Sequence, residues 1–137
     1  MTRRILAVDD EPRVLTMLRR RLETAGYQVS TAIEGREALQ KVRDEKPDLI
    51  VLDLILPGIS GYEVCARLKS DEQYRRIPVL VLSARSQEQD AAEGRRVGAD
   101  AYMTKPYDSD VLLARINELL TSRNSGHSRE EAEREGT

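Results

Sequence analysis

Residues 49–58, LIVLDLILPG, form an apolar run of strand length that carries one carboxylate, Asp53, and then reaches the turn residues Pro57 and Gly58. A run this continuously apolar is typical of a strand that is covered on both faces of a parallel sheet. An ionised carboxylate at the end of such a strand is costly to desolvate unless a site or a charged partner accommodates it. Ligands bind at the carboxyl ends of strands in open parallel sheets. Asp53 is therefore the first candidate for a functional residue.

Length and composition indicate one domain outside any membrane. A chain of 137 residues with 39% hydrophobic content can bury a single core. The net charge of −2 provides no basic field, which argues against nucleic acid as a direct partner. No apolar run approaches the roughly 20 residues of a membrane span. The one cysteine, Cys65, fits a reducing compartment, so we expect a cytoplasmic protein that binds neither nucleic acid nor a membrane.

Five strand candidates alternate with five helix candidates along the chain. The strands are predicted over residues 5–8, 27–31, 49–53, 79–83 and 101–103, and the helices over residues 12–25, 35–45, 61–69, 87–97 and 111–120. The inward face of the last helix is predicted to consist of Val111, Leu112, Ile116, Leu119 and Leu120. Because crossovers between parallel strands are right-handed, this order predicts a doubly wound α/β fold with helices on both faces of a parallel sheet.

Polar side chains mark the ends of four of the predicted strands. They are Asp9 and Asp10 at the end of the first strand, Asp53 at the end of the third, Ser83 at the end of the fourth, and Thr104 with Lys105 at the end of the fifth. The carboxyl ends of parallel strands share one edge of the sheet, and that edge carries the site in doubly wound folds. We therefore expect three carboxylates, the Ser83 hydroxyl and the Lys105 ammonium group to converge there.

The expected cluster has a definite chemistry. Carboxylates a few ångströms apart repel each other by about 4 kcal/mol at an effective dielectric constant near 20, so a retained proton or a cation is needed. Oxygen ligands of this kind suit Mg²⁺. A carboxylate can also act as a nucleophile and form an aspartyl phosphate, while Lys105 and Ser83 could stabilise phosphoryl oxygens. The pattern predicts a site that accepts a phosphoryl group.

Five short motifs in this order resemble the receiver domain of two-component response regulators. They are Asp9-Asp10, then Asp53, then Pro57-Gly58 with Gly61, then Ser83-Ala84, and then Lys105-Pro106, and the resemblance extends over residues 4–120. It implies the flavodoxin-like receiver fold, with strand order 2-1-3-4-5 and five helices. It also implies a phosphorylation-dependent switch that catalyses only its own phosphorylation and dephosphorylation.

The resemblance assigns roles to individual residues. Asp53 would accept the phosphoryl group from a histidine kinase or a histidine phosphotransfer protein, and Ser83 and Lys105 would contact that group. Mg²⁺, or Mn²⁺ in its place, would be held by Asp9, Asp10, Asp53 and the backbone carbonyl of Ile55, with Asp9 acting directly or through water. Tyr102 would be the aromatic switch residue that responds to Ser83, and the peptide bond before Pro106 would be cis. The surface of the fourth helix, fifth strand and fifth helix would then control an effector protein.

Other functions require different residues at the same positions. A phosphatase of the haloacid dehalogenase type needs a second acid two residues after its nucleophile, where this chain has Ile55. A nucleotide-binding module of flavodoxin type needs a glycine-rich or hydroxyl-rich loop after the first strand, where this chain has Asp9-Asp10-Glu11. A pseudo-receiver that docks without phosphorylation stays an alternative. Taken singly, each polar residue could also be a helix start, a cap or a solvated side chain with no functional role. Only their convergence at one edge of the sheet favours a functional site.

The sequence says less about the C-terminal residues and about the residues that respond to phosphorylation. Residues 1–122 are predicted to form the receiver domain, and residues 123–137 a polar, disordered tail or linker, so the chain resembles a stand-alone receiver. The helix over residues 87–97 is poor in large apolar side chains and is a candidate for the moving part. Ile55 and Arg85, two residues after Asp53 and Ser83, are expected to influence how long the phosphoryl group survives.

Overall fold

The computed structural model of the chain contains one five-stranded parallel sheet with helices on both faces. The structure describes residues 2–83 and 98–136, with the backbone alone from residue 123 onward. The strands are β1 (Arg4–Val8), β2 (Gln28–Ala32), β3 (Leu49–Asp53), β4 (Val79–Ser83) and β5 (Ala101–Thr104). They are parallel and lie in the order β2-β1-β3-β4-β5. The predicted doubly wound fold and its strand order are confirmed.

The described residues contain four helices. They are α1 (Pro12–Thr24), α2 (Gly35–Glu45), α3 (Gly61–Lys69) and α4 (Ser109–Gly136). The helix predicted over residues 87–97, like Ala84 and Arg85, lies outside the described residues. Helix α4 continues to Gly136, past the boundary at residue 122 where the sequence predicts a disordered tail. Residues 129–135 are almost all strong helix formers, which favours such a continuation; the boundary itself stays a prediction.

Alternating strand residues divide the core into two layers. One layer, here called the α2–α3 layer, packs Leu6, Ile50, Leu52 and Val81 against the apolar faces of α2 and α3. The other, the α1–α4 layer, packs Ile5, Val51, Leu80 and Leu82 against α1 and α4. All five residues of β3 are buried, and each such aliphatic side chain contributes about 1.5–3 kcal/mol when it leaves water. This central strand thus holds Asp53 at a fixed position.

The predicted inward position of one residue, Val111, is wrong. Val111 is 56% exposed, whereas Leu112 and Ile116 of the same helix are buried. Successive helical residues differ by about 100° around the axis, so Val111 in the first turn points away from the face that Leu112 presents to the sheet.

Strand β2 is one edge of the sheet, and long cationic side chains cover part of it. The carbonyl of Ala32 accepts from the backbone of Asp9 on the β1 side, so the carbonyls of Val29 and Thr31 point outward by alternation. Arg19 donates to the carbonyl of Val29 at 3.4 Å, and Lys41 donates to that of Thr31. Two outward-facing acceptors of this edge are therefore occupied by side chains of α1 and α2.

A partly buried lysine ties together the connections at the opposite end of the sheet. The ammonium group of Lys69 donates to Asp100 at 2.6 Å and to the carbonyls of Arg75 and Ile77 at 3.0 and 2.9 Å. Asp100 in turn accepts from the backbone of Val79, the first residue of β4. This ion pair links the end of α3 to the starts of β4 and β5. No helix in the part of the chain that the structure describes is long and apolar enough to cross a membrane.

Candidate functional site

The carboxyl ends of β1 and β3 bring three carboxylates together. Oxygen atoms of Asp9, Asp10 and Asp53 all lie within 4.8 Å of one another. Asp9 is 3% exposed and Asp53 is 8% exposed, whereas Asp10 is open to solvent. The sheet register explains the arrangement, since Val8 of β1 pairs with Leu52 of β3, and the residue that follows each of them is an aspartate.

Lys105 joins this cluster from the end of β5. Its ammonium nitrogen lies 2.8 Å from Asp9 Oδ2 and 3.4 Å from Asp53 Oδ2. The sequence predicts a contact of Lys105 with a phosphoryl group, but it does not predict that the same lysine is the counter-ion of Asp9. Counting charges at the predicted edge could have indicated this, because three carboxylates and one ammonium group leave the lysine surrounded by acids.

Backbone amides fix the remaining oxygen of each buried carboxylate. The amide of Glu11 donates to Asp9 Oδ1 at 2.9 Å, and the amide of Ile55 donates to Asp53 Oδ1 at 3.1 Å. Each carboxylate is therefore held on one side by its own chain and on the other by Lys105. The Ile55 side chain is exposed, and the predicted use of its carbonyl as a metal ligand stays a prediction.

The loop after β3 returns directly over the backbone of Asp53. The amide of Gly61 donates to the carbonyl of Leu54 at 3.0 Å. A Cβ atom at Gly61 would lie 2.2 Å from the carbonyl oxygen of Asp53, which no side chain can tolerate. Gly58, with φ of +72°, adopts the left-handed conformation that glycine accepts without strain. These two glycines let the loop turn sharply and begin α3 against the end of β3.

Burial and charge shift the pKa values of the two central groups. Burial raises the pKa of the Asp53 carboxyl above 3.8, and the Asp9 charge adds to this, although the Ile55 amide and Lys105 act in the opposite direction. For Lys105, burial alone would lower the pKa, but the hydrogen bond to Asp9 and the charges of Asp53 and Asp9 outweigh it and raise the pKa. An ionised Asp53 therefore benefits from additional positive charge, while Lys105 stays protonated.

Ser83 and Tyr102 lie on the face of the sheet that the α2–α3 layer covers. Neighbouring residues show this, since Val81 and Tyr102 pack in the α2–α3 layer, whereas Leu82 and Met103 pack in the α1–α4 layer. By alternation, the side chain of Ser83 continues the face of Val81 at the end of β4. Ser83 is fully buried, and its carbonyl accepts from the amide of Lys105 at 2.7 Å.

Thr104 is a residue to which the sequence assigned no role. It pairs with Ser83 across β4 and β5 and shares its face of the sheet. It also precedes Lys105, whose peptide bond to Pro106 is cis. Within the described residues, its hydroxyl oxygen is the one buried side-chain polar atom that makes no hydrogen bond. A threonine at the end of a predicted strand looks ordinary, so sequence pattern alone offers no signal for it.

The donor set fits a hard divalent cation. Three carboxylates from two adjacent strand ends offer oxygen ligands within one small region, and Asp10 leaves it open to water. Mg²⁺ prefers a few carboxylate oxygens and retains several waters. Such an ion would place positive charge beside Asp53 and so favour the ionised carboxylate, which burial disfavours.

Comparisons with known proteins agree with this geometry. A family model described as "Response regulator receiver domain" matches residues 5–117. The chain is 47% identical over 120 residues to the alkaline phosphatase synthesis transcriptional regulatory protein PhoP of Bacillus subtilis, a match that covers 88% of this chain and 49% of that protein. The chain spans about half the length of the first three curated relatives that it matches.

Solved structures show the same fold. A putative response regulator from Chloroflexus aurantiacus superposes with a TM-score of 0.85 at 35% identity, over 88% of this chain and 99% of that one. The receiver domain of the sensor histidine kinase PA1611 from Pseudomonas aeruginosa superposes with a TM-score of 0.81 at 26% identity, over 88% and 99% of the two chains, and holds a magnesium ion in its active-site cleft. The chain therefore belongs to the response regulator receiver domain family of two-component systems.

Proposed function

We propose that this receiver domain accepts a phosphoryl group on Asp53 from a histidine kinase or a histidine phosphotransfer protein, and that it signals to a protein partner. The observation that carries the proposal is the position of Lys105, whose ammonium group lies between the buried carboxylates of Asp9 and Asp53 at the edge of the sheet. No acid stands two residues after Asp53 to serve a phosphatase. The proposed chemistry is limited to the domain's own phosphorylation and dephosphorylation.

In the transfer step, an oxygen of the Asp53 carboxylate attacks phosphorus. The bond between phosphorus and the imidazole nitrogen of the donor breaks, and the imidazole leaves with the electron pair and is then protonated. Lys105 offers an ammonium group that is already 3.4 Å from Asp53 and can move to a phosphoryl oxygen. The Ile55 amide fixes the orientation of the attacking carboxylate.

Asp9, Asp10 and Asp53, with the Ile55 carbonyl, are the residues that would hold Mg²⁺. Mn²⁺, which takes the same oxygen ligands, is a second candidate. The bound cation supplies electrostatic stabilisation of phosphoryl oxygens during in-line transfer.

The signalling step follows from the charge that transfer adds. A phosphoryl group adds acceptor oxygens and about −1.5 to −2 units of charge at pH 7. Ser83 is proposed to move toward one of these oxygens, and Tyr102, which is partly buried in the α2–α3 layer, is proposed to respond to the space that Ser83 leaves. The resulting change in the surface around β5 and α4 would bias a two-state equilibrium that a partner reads.

The test is phosphorylation by a small-molecule donor such as acetyl phosphate, followed by intact mass measurement. With Mg²⁺ the wild type should gain the mass of one phosphoryl group, and chelation of Mg²⁺ should prevent the gain. Asp53→Asn should gain nothing. The matched control is Asp48→Asn, because Asp48 precedes the same strand and bonds the backbone of Arg4 at the opposite end of the sheet; it should be phosphorylated like the wild type.

Two outcomes would contradict the proposal. Absence of any phosphorylated species with every donor, including a phosphorylated histidine kinase, would support the pseudo-receiver. Sustained turnover of external phosphoesters would support a phosphatase. For this chain we also propose a protein rather than nucleic acid as the direct partner, given its net charge of −2, and a reducing, cytoplasmic compartment, given its buried free Cys65.

A further inference from the structure

The unpaired hydroxyl of Thr104 has an energetic cost that a threonine in a strand need not incur. The oxygen is shielded from water and, among the described residues, has no hydrogen-bond partner. A buried hydroxyl without a partner costs about 1–3 kcal/mol. Valine has the same branched shape and suits a strand equally well, so packing alone would favour valine at this position. Packing in this conformation therefore does not explain the hydroxyl.

The register identifies the group that can meet this hydroxyl. Ser83 and Thr104 are paired residues of β4 and β5, and their side chains leave the sheet on the same face. Adjacent strands lie about 4.8 Å apart, and each hydroxyl can rotate about one side-chain bond. A hydroxyl-to-hydroxyl distance of about 2.8 Å is within reach of both residues. Ser83 is fully buried, so water does not compete for it.

We propose that Thr104 is a positioning residue of the switch, and that its hydroxyl donates a hydrogen bond to the oxygen of Ser83 when Asp53 is phosphorylated. This inference rests on the proposed function, in which Ser83 moves toward a phosphoryl oxygen, to which its hydroxyl would then donate. A serine hydroxyl has one proton and two acceptor positions, so committing the proton to the phosphoryl oxygen leaves the oxygen available to Thr104.

The resulting chain of hydrogen bonds runs from Thr104 through Ser83 to the phosphoryl group. Each bond in such a chain polarises the next, so Thr104 strengthens the contact of Ser83 with the phosphoryl oxygen. The same bond ends the unpaired state of the Thr104 hydroxyl. Phosphorylation thus relieves a cost that is present in the unphosphorylated domain, and Thr104 favours the phosphorylated conformation without touching the phosphoryl group.

The test measures the affinity of beryllofluoride, a phosphoryl mimic, in saturating Mg²⁺ by titration calorimetry. Thr104→Val, which keeps the shape and removes the hydroxyl, should bind the mimic about 2- to 10-fold more weakly, the equivalent of one hydrogen bond. Thr104→Ser, which restores a hydroxyl, should bind within about twofold of the wild type. In a Ser83→Ala background the substitution Thr104→Val should have no further effect, because the acceptor is missing.

Thermal unfolding without the mimic provides the second measurement. Thr104→Val should unfold at the same or a higher temperature than the wild type, because it loses a hydroxyl that has no partner in this state. A lower unfolding temperature would show that the hydroxyl is already paired and would overturn the inference.

Three binding results would also overturn it. They are unchanged affinity in Thr104→Val, equal weakening by Thr104→Val and Thr104→Ser, and a loss that persists in the Ser83→Ala background. A wild type that neither binds the mimic nor becomes phosphorylated would refute the proposed function itself, and the role of Thr104 with it. That failure is observed in the wild type, so it is distinct from failure of the Thr104 inference.

Discussion

Replacing Lys105 by methionine should destabilise the domain in the absence of Mg²⁺ and should strengthen its binding of Mg²⁺. Methionine keeps much of the length of the side chain and removes the charge. In the metal-free protein the carboxylates of Asp9 and Asp53 would then be buried at the same edge without their ammonium partner. A bound divalent cation would replace the missing charge and would no longer be repelled by the lysine.

The distances set the size of the effect. At 2.8 and 3.4 Å, each ion pair has an attraction of about 5–6 kcal/mol at an effective dielectric constant near 20, before the cost of desolvation. Breaking a buried pair typically costs about 3–5 kcal/mol. Because the Lys105 side chain is still 23% exposed, we expect a loss of about 2–4 kcal/mol in the free energy of unfolding.

The assay is urea unfolding of wild type and Lys105→Met at pH 8, once with a chelator and once with saturating Mg²⁺. The difference in stability between the two proteins should shrink when Mg²⁺ is added. If it shrinks by about 2 kcal/mol, linkage requires that Mg²⁺ bind the variant about 30-fold more tightly than the wild type. Titration with Mg²⁺ measures this ratio independently.

Lys69→Met is the matched control. Lys69 is also a partly buried lysine in an ion pair with an aspartate, but its partner Asp100 lies at the other end of the sheet. It should be destabilised equally with and without Mg²⁺. A Lys105→Met deficit that is the same in chelator and in Mg²⁺ would refute the reasoning, because the lysine and the cation would then not share one site.

The remaining predictions concern single residues. Burial raises the pKa of Asp53 above 3.8, so ionisation of Asp53 lowers the stability of the folded domain as the pH rises above this value. Metal-free Asp53→Asn should therefore unfold at a higher temperature than the wild type at pH 7. A difference in unfolding temperature that did not vanish as the pH fell toward 4 would contradict this. Cys65 is fully buried with its pKa raised to about 11, so a thiol reagent should modify it only as fast as the domain opens, and rapid modification of the folded protein would exclude this burial. Gly61→Ala should lose about 2–4 kcal/mol of stability in urea, because its Cβ would lie 2.2 Å from the Asp53 carbonyl oxygen. Gly26→Ala, which meets nothing within 4 Å and has φ of +100°, should lose only the about 1–2 kcal/mol of left-handed strain; equal losses would refute the steric explanation.

The sequence predicts the strands and the edge of the site well, because both depend on local pattern. Apart from their last residues, β3 and β4 are entirely apolar and shorter than a typical helix, which favours buried strands, and the polar last residue of each identifies the edge. The parallel topology alone is enough to predict that Asp9, Asp53 and Lys105 lie at the same edge of the sheet.

What the sequence could not supply is the pairing of side chains across strands. The contact of Lys105 with Asp9 joins residues at opposite ends of the domain, and it depends on which face each side chain takes at its strand end. The lack of a hydrogen-bond partner for the Thr104 hydroxyl among the described residues can likewise be recognised only from the three-dimensional positions of its neighbours. The pattern wrongly predicts an inward position for Val111, because Val111 and Leu112 are adjacent apolar residues in the first turns of the helix and the pattern does not say which of them faces the sheet.

The covered edge of β2 restricts how this domain can assemble. An exposed strand edge is a template on which another polypeptide can add a strand through its amide groups. With Arg19 and Lys41 occupying the outward carbonyls of Val29 and Thr31, an incoming strand would have to displace two cations before it could pair. A partner that approaches this side of the domain therefore recognises helix surfaces and side chains rather than backbone. At β2, the sheet is consequently protected against extension by a strand of a second copy.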